Sequence, residues 1–328
     1  MKIVSYFFNP QIFSASVFLS CFILLSCAQI SFSLEISDDD ILTDILWAKV
    51  INLNPPDRPA VGLALSGGGA RGFAHVGVLD VLSSSSFPID YISGTSMGAI
   101  IGALYSSDMA MDNIWDFGRE TASRKISKDF SGLKAINLIF RDKLISPKYI
   151  TEFIQKNLGT FTFENLKYPF ACVAMDFKTG EKIIFNSGPV DIAVRASANL
   201  PGIFKPIEYR HRHLVDGGVV DFLPVDVAKI LGAQWILASV TESEPETLPE
   251  SVLFSLMQVI DIRGSLLSAR AQDEADFVLK PAVGSIQTAD FNKCIEAGEI
   301  GVVETNSKLK KLKKAYLTDA VNLIMRKI

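Results

Sequence analysis

The sequence predicts an α/β protein: a mostly parallel central sheet covered by helices on both faces. Short apolar runs alternate with stretches of helical character, the pattern of repeated βα units. The first two runs, Val61-Gly62-Leu63-Ala64-Leu65 and Ile89-Asp90-Tyr91-Ile92, are brief and bounded by turn residues, as expected of strands buried on both faces. Each is joined to its helix by a glycine-bearing turn, residues 67–72 and 94–98.

Composition narrows the class further. A chain of 328 residues, 48% hydrophobic and 21% charged, is globular and long enough for one large or two small domains. A net charge of -4 gives no electrostatic case for nucleic-acid binding. Four cysteines are too few for a disulfide scaffold. With three histidines and no Cys/His cluster at zinc spacing, no metal or other cofactor is expected.

Residues 1–33 read as a targeting segment. Lys2 is their only charge, and residues 17–25 form an apolar stretch short for a membrane span. Leu24-Leu25-Ser26-Cys27 loosely resembles a bacterial lipobox. A lipoprotein anchored at Cys27, an ordinary cleaved signal and an uncleaved anchor all stay open. Each would place the rest of the chain outside the cytosol, periplasmic or membrane-anchored. Residues 34–57 read as a linker with one short helix, because Asp38-Asp39-Asp40 precedes an apolar run and suits a helix N-terminus. Asn54-Pro55-Pro56 then ends it, and the main domain spans 58–285.

After the first strand comes Ser66-Gly67-Gly68-Gly69-Ala70-Arg71-Gly72, then a helix over 73–82. Consecutive glycines at a helix start leave backbone N–H groups free to face an anion. The stretch also fits G-x-G-x-x-G, so a dinucleotide site competes. That site wants an acid at the end of the next strand. Here Asp90 begins the strand, and Gly94-Thr95-Ser96 occupies its end. An oxyanion hole fits better. His75 lies inside the helix and reads as packed.

Gly94-Thr95-Ser96-Met97-Gly98 is a G-x-S-x-G turn between a short strand and an apolar helix start. Such an elbow holds a serine hydroxyl out at the sheet edge, and Gly94 and Gly98 avoid crowding strand and helix. Residues 112–158 are helix-forming, with apolar positions including Leu133, Ile136 and Phe140. They serve as core or as a substrate cover. Residues 168–176 and Lys182-Ile183-Ile184-Phe185 read as strands turning at Thr179-Gly180. Asp176 reads as a turn carboxylate, and Ser197 as a helix-end serine without an elbow.

His213-Leu214-Val215-Asp216-Gly217-Gly218 is the second chemical centre. A strand delivers Asp216 at its end, and Gly217 and Gly218 allow close approach of another segment. A nucleophilic serine needs a base. In a dyad, Asp216 takes the proton. In a triad, His211 or His213 does so, oriented by an acid. Positions 213 and 216 fall on opposite strand faces, which favours the dyad. A carboxylate is a poor base at its usual pKa of about 4, so burial is expected to raise it.

Together Gly67-Gly68-Gly69-Ala70-Arg71-Gly72, Gly94-Thr95-Ser96-Met97-Gly98 and Asp216-Gly217-Gly218 resemble the patatin-like phospholipases, most closely the bacterial branch. Ala196-Ser197 through Phe204-Lys205-Pro206 is similar to a further block of that family, and the likeness runs from about 58 to 298. The resemblance implies a three-layer α/β/α sandwich and a Ser-Asp dyad acting on lipid acyl esters. Ser96 would be nucleophile and Asp216 base, with Gly67, Gly68, Gly69 and Arg71 as the oxyanion hole. The expected partners are a lipid or phospholipid and a membrane surface. A Ser-His-Asp esterase or thioesterase, acyl transfer, and an idle lipid- or nucleotide-binding module remain alternatives.

Residues 286–328 read as a helical basic extension. Lysines 308, 310, 311, 313 and 314 suit anionic head groups. A solvated face with Leu309, Leu312 and Tyr316 packed inward is the favoured reading.

Overall fold

The structure is a computed structural model describing residues 38–123, 148–244 and 252–325. The expectations for the N-terminal segment and for Leu133, Ile136 and Phe140 lie outside the described residues. The chain divides into two units, 1–44 and 45–328. Of the first, the described part is the opening of helix α1 (Asp38–Val50). No described helix is long and apolar enough to cross a membrane.

The second unit is built on an eight-stranded sheet. Strand β1 (Val61–Leu65) leads through a 3-10 turn (Gly69–Phe73) into α2 (Ala74–Ser84). Strand β2 (Tyr91–Thr95) leads into α3 (Met97–Ser106), followed by α4 (Met111–Ser123) and α5 (Lys148–Leu158). Next come β3 (Phe170–Asp176), β4 (Lys182–Phe185), α6 (Val190–Ser197), β5 (Ile207–Tyr209) and β6 (Arg212–Asp216). Helix α7 (Val225–Leu231), β7 (Trp235–Ser239), α8 (Val252–Asp273), β8 (Phe277–Leu279) and α9 (Cys294–Met325) complete the chain.

Strand order is β5-β6-β3-β2-β1-β7-β8, with β4 also paired to β3. Pairing is parallel from β3 through β8 and antiparallel where β4, β5 and β6 join. Alternation along the strands sorts side chains into two cores. Val61, Leu63 and Leu65 of β1, Trp235 and Leu237 of β7, and Phe170, Cys172 and Ala174 of β3 point to one face. Residues of α2, α3, α6 and α9 cover them. Ala64, Ile236 and Ala238 point to the other face, packed with Val225 and Ala228 of α7. Ala171 and Val173 meet Val227 of α7 there as well. Helix, sheet, helix is thus the layer order, as the alternating pattern predicts.

The C-terminal helix belongs to this body. Leu312, Tyr316 and Leu317 are buried in the larger core. The Tyr316 ring meets Trp47, Phe87 and Trp235, and its hydroxyl donates to the Pro59 carbonyl at 2.9 Å. Leu309 packs against the same core, so the inward-packed reading of this helix holds. Small residues let α9 approach α2 at backbone distance. A Cβ on Gly77 would fall on the Gly298 carbonyl, and one on Gly301 on that of Ala74. Gly77→Val is expected to cost about 3 kcal/mol through overpacking. Thermal unfolding followed by circular dichroism should show a Tm lower by about 6 °C.

Candidate active site

The site forms where β1, β2 and β6 end. Thr95 lies opposite Val173 on β3, and Asp216 lies opposite Ala174. Ser96, one residue past Thr95, and Asp216 therefore flank β3 at nearly the same level. Two strand spacings, about 10 Å, separate their backbones, a gap the two side chains close. Ser96 Oγ donates to Asp216 Oδ2 at 2.7 Å.

The elbow is strained. Ser96 sits at φ 55, ψ -120, ahead of α3, a conformation that costs a side-chain-bearing residue about 1–3 kcal/mol. Its surroundings hold it there. The Ser96 N–H donates to Ser197 Oγ at 3.0 Å. Ser93 and Thr95 hydroxyls donate to the Pro224 and Asp221 carbonyls. A side chain at Gly98 would press on the carbonyls of Leu65 and Ser66, and one at Gly94 on that of Gly98.

Asp216 is fixed on three sides. Its N–H donates to the Asn199 carbonyl, its Oδ1 accepts from the Gly218 N–H at 2.7 Å, and its Oδ2 faces Ser96. A Cβ on Gly217 would collide with the Val173 carbonyl, so the chain turns this tightly only with glycine there. Asp216 is 2% exposed. Burial pushes its pKa up to about 6, against the hydrogen bonds from Ser96 and Gly218, with Asp261 adding repulsion.

The glycine loop lies beside this pair. Gly67 N–H donates to the Phe222 carbonyl, and the Gly67 carbonyl accepts from Thr241 Oγ1. Gly68 and Gly69 have φ 145 and 54. Their N–H groups donate to no acceptor among the described residues, and Gly69 lines the same cavity as Ser96. That cavity, about 240 Å³, is walled mainly by apolar side chains, among them Met97, Ile100, Ile154, Ile203, Phe204 and Met257. Among the described residues no cluster of three or more His, Cys, Asp or Glu is placed to hold a metal.

A family model for patatin-like phospholipases matches residues 63–229, half of the chain, a stretch that contains Ser96, Asp216 and the glycine loop. The chain belongs to the patatin-like phospholipase family.

Within that family, an uncharacterised NTE family protein of Mycobacterium tuberculosis is 33% identical over 168 residues, 51% of this chain and 45% of the relative. Lysophospholipase NTE1 of the yeast Lodderomyces elongisporus is 32% identical over 275 residues, 74% of this chain and 19% of the relative. This patatin-like chain thus spans less than half the length of either. Among solved structures, VipD from Legionella pneumophila superposes with a TM-score of 0.45 at 13% identity, over 78% of this chain and 67% of that one. Human GIVD cytosolic phospholipase A2 gives 0.44 at 10%, over 85% and 63%. Likenesses this distant add nothing to the family assignment.

Two members of the expected oxyanion hole are engaged elsewhere in this patatin-like domain. Arg71 is 1% exposed. Its Nη2 lies 2.9 Å from Asp261 Oδ1 on α8, and its Nη1 donates to the Ile286 carbonyl. Its own N–H donates to Gly68. The guanidinium is thus paired with a half-buried carboxylate on α8, and the Gly67 N–H is spent on Phe222. Both were expected in the oxyanion hole, and here each is held by another partner. Arg71 is a brace tying the glycine loop to α8. Arg71→Gln strands Asp261 without its cation and is expected to lower stability by about 3 kcal/mol, read by urea unfolding.

The histidines stand apart from the dyad. His75 is fully buried, its Nε2 donating to the Ser66 carbonyl and its Nδ1 facing Ser239 Oγ at 2.8 Å. Burial pushes its pKa down to about 4. His211 occupies the β5–β6 turn at φ 65, and His213 Nε2 is 3.9 Å from Glu208. Neither hydrogen-bonds Ser96 or Asp216 among the described residues. Asp176 takes the Lys178 N–H and the Arg212 guanidinium, as a turn carboxylate does. Ser197, read from sequence as ending a helix, does end α6, but its hydrogen bond to the elbow was not foreseen. Asp261 and Asn199 were also missed. No local pattern marks them.

Proposed function

We propose that the protein is a serine lipid acyl hydrolase cleaving carboxylic esters of phospholipids or lysophospholipids. The observation that carries this reading is the 2.7 Å bond between Ser96 and a buried Asp216 beside an apolar cavity. Ser96 Oγ attacks the acyl carbonyl while Asp216 takes its proton. Gly68 and Gly69 N–H groups hold the oxyanion. The ester C–O bond then breaks, Asp216 protonates the leaving alcohol, and an acyl-serine remains. Water attacks it with Asp216 again as base, releasing the fatty acid and restoring Ser96. The apolar walls would favour a long acyl chain by about 0.8 kcal/mol per buried methylene.

A membrane surface is part of the proposal. Along α8, the helix that supplies Met257 to the cavity, Leu256, Val259, Ile262 and Leu266 are exposed at three- and four-residue spacing. The test is labelling with a fluorophosphonate probe, with the modified peptide identified, alongside hydrolysis of phospholipid vesicles. Labelling confined to Ser96 and release of fatty acid support the reading. A folded protein that does neither is a binding module.

A further inference from the structure

We propose that Arg195 and Lys205 form an anion subsite of the Ser96 cavity that binds the phosphate of a phosphoester lipid. The inference rests on the hydrolase reading and assigns the residues that would favour its phosphate-bearing substrates over neutral glycerides. Of the described side chains lining the cavity, these two are the charged ones, and both are cations. An apolar chamber with cations and no carboxylate on its wall suits an amphiphile with an anionic head. A neutral glyceride would offer these cations hydrogen-bond acceptors but no counter-charge in exchange for lost hydration.

Neither cation has its charge absorbed by the fold. Arg195 Nη1 lies 3.9 Å from Asp191 Oδ2, at the outer limit of an ion pair, and the arginine side chain is 31% exposed. Lys205 is exposed and makes no ion pair among the described residues. Arg71 shows the contrast: the buried cation of this site is ion-paired with Asp261 at 2.9 Å.

Both cations are held in step with the reacting groups. Arg195 lies two residues before Ser197, which accepts the Ser96 N–H. The Lys205 carbonyl accepts from Asn199 Nδ2, and the Asn199 carbonyl accepts the Asp216 N–H. One short segment, residues 195–205, thus presents two positive charges and grips both members of the dyad. A phosphate near the mouth would meet a guanidinium fork and an ammonium, with the acyl ester reaching inward to Ser96.

The test uses full-length Ser96→Ala protein and calorimetric titration with octyl phosphate, octanol, octanoate and inorganic phosphate. Octyl phosphate is expected to bind at least about tenfold more tightly than octanol for each cation engaged. Arg195→Gln/Lys205→Gln should abolish that preference, and Arg195→Lys should keep part of it. In protein with Ser96 intact, the kcat/KM ratio of a lysophospholipid to a monoacylglycerol of the same chain, in the same mixed micelles, should fall by a similar factor in the double variant. Equal affinity for octyl phosphate and octanol overturns the proposal, as does a preference that survives the double variant. Octanoate binding as tightly assigns the cations to the product carboxylate, and inorganic phosphate binding as tightly assigns them to free phosphate; either result overturns it. A preference for octyl phosphate in a protein that hydrolyses no ester would sink the catalytic reading and leave the subsite standing.

Discussion

Ser96→Ala is expected to lower lipid ester hydrolysis by about 10⁴-fold or more, because the acyl-enzyme route closes entirely. The residual rate would come from the cavity and the Gly68 and Gly69 amides acting on water alone. The substitution removes an oxygen held by one hydrogen bond, to Asp216, at a position whose strained backbone is fixed by neighbours. The fold should therefore survive, and near-parent circular dichroism would separate lost chemistry from lost structure. Turnover of a medium-chain nitrophenyl ester is the readout, with fluorophosphonate labelling as the second. A variant retaining a tenth of the parent rate would remove Ser96 from the mechanism.

Asp216→Asn carries the other large effect, an expected loss of about 10³-fold in kcat, since an amide cannot take the serine proton. The parent supplies the control. With its pKa pushed up to about 6 by burial, Asp216 is a competent base above that pH and protonated below it. The parent kcat/KM should thus rise tenfold per pH unit up to about 6 and then level off, while the variant should lack that inflection. Stability moves the opposite way. A carboxyl whose folded pKa lies above its unfolded value of about 3.8 binds its proton more tightly in the native state. Its ionisation therefore costs nothing below about pH 4 and is fully unfavourable above about pH 6, by about 3 kcal/mol. Asp216→Asn removes that cost, so the variant should melt no lower than the parent at pH 7. A variant much less stable at pH 7 would mean that the carboxylate supports the fold.

Much of the architecture was legible because it is local. The five residues of β1 announced a strand by apolar character and bounding turns; the run 89–92 pointed to β2, which in fact spans Tyr91–Thr95 because its parallel pairing with β1 and β3 carries it on into the glycine turn. Glycine marked the loops where strand must become helix. The C-terminal end of the chain was legible in part. Leu309, Leu312 and Tyr316 showed an inward face by spacing, yet nothing in that spacing reveals that Tyr316 packs on Trp47, Phe87 and Trp235. Those partners are set by which helix lies over which strand.

By itself the sequence determined the layered α/β pattern, the two glycine turns and the order in which a serine and a late carboxylate arrive. Those follow from short-range steric rules and from a two-residue or helical repeat. Only the tertiary structure decided what each polar group does. Arg71, a donor on paper, is claimed by Asp261. Gly67 spends its amide on Phe222, while Gly68 and Gly69 keep theirs, and the Ser197 hydroxyl holds the elbow. The reason is that a charge or a donor is defined by its nearest partners and by how much water reaches it. For this site those partners lie up to about two hundred residues away along the chain.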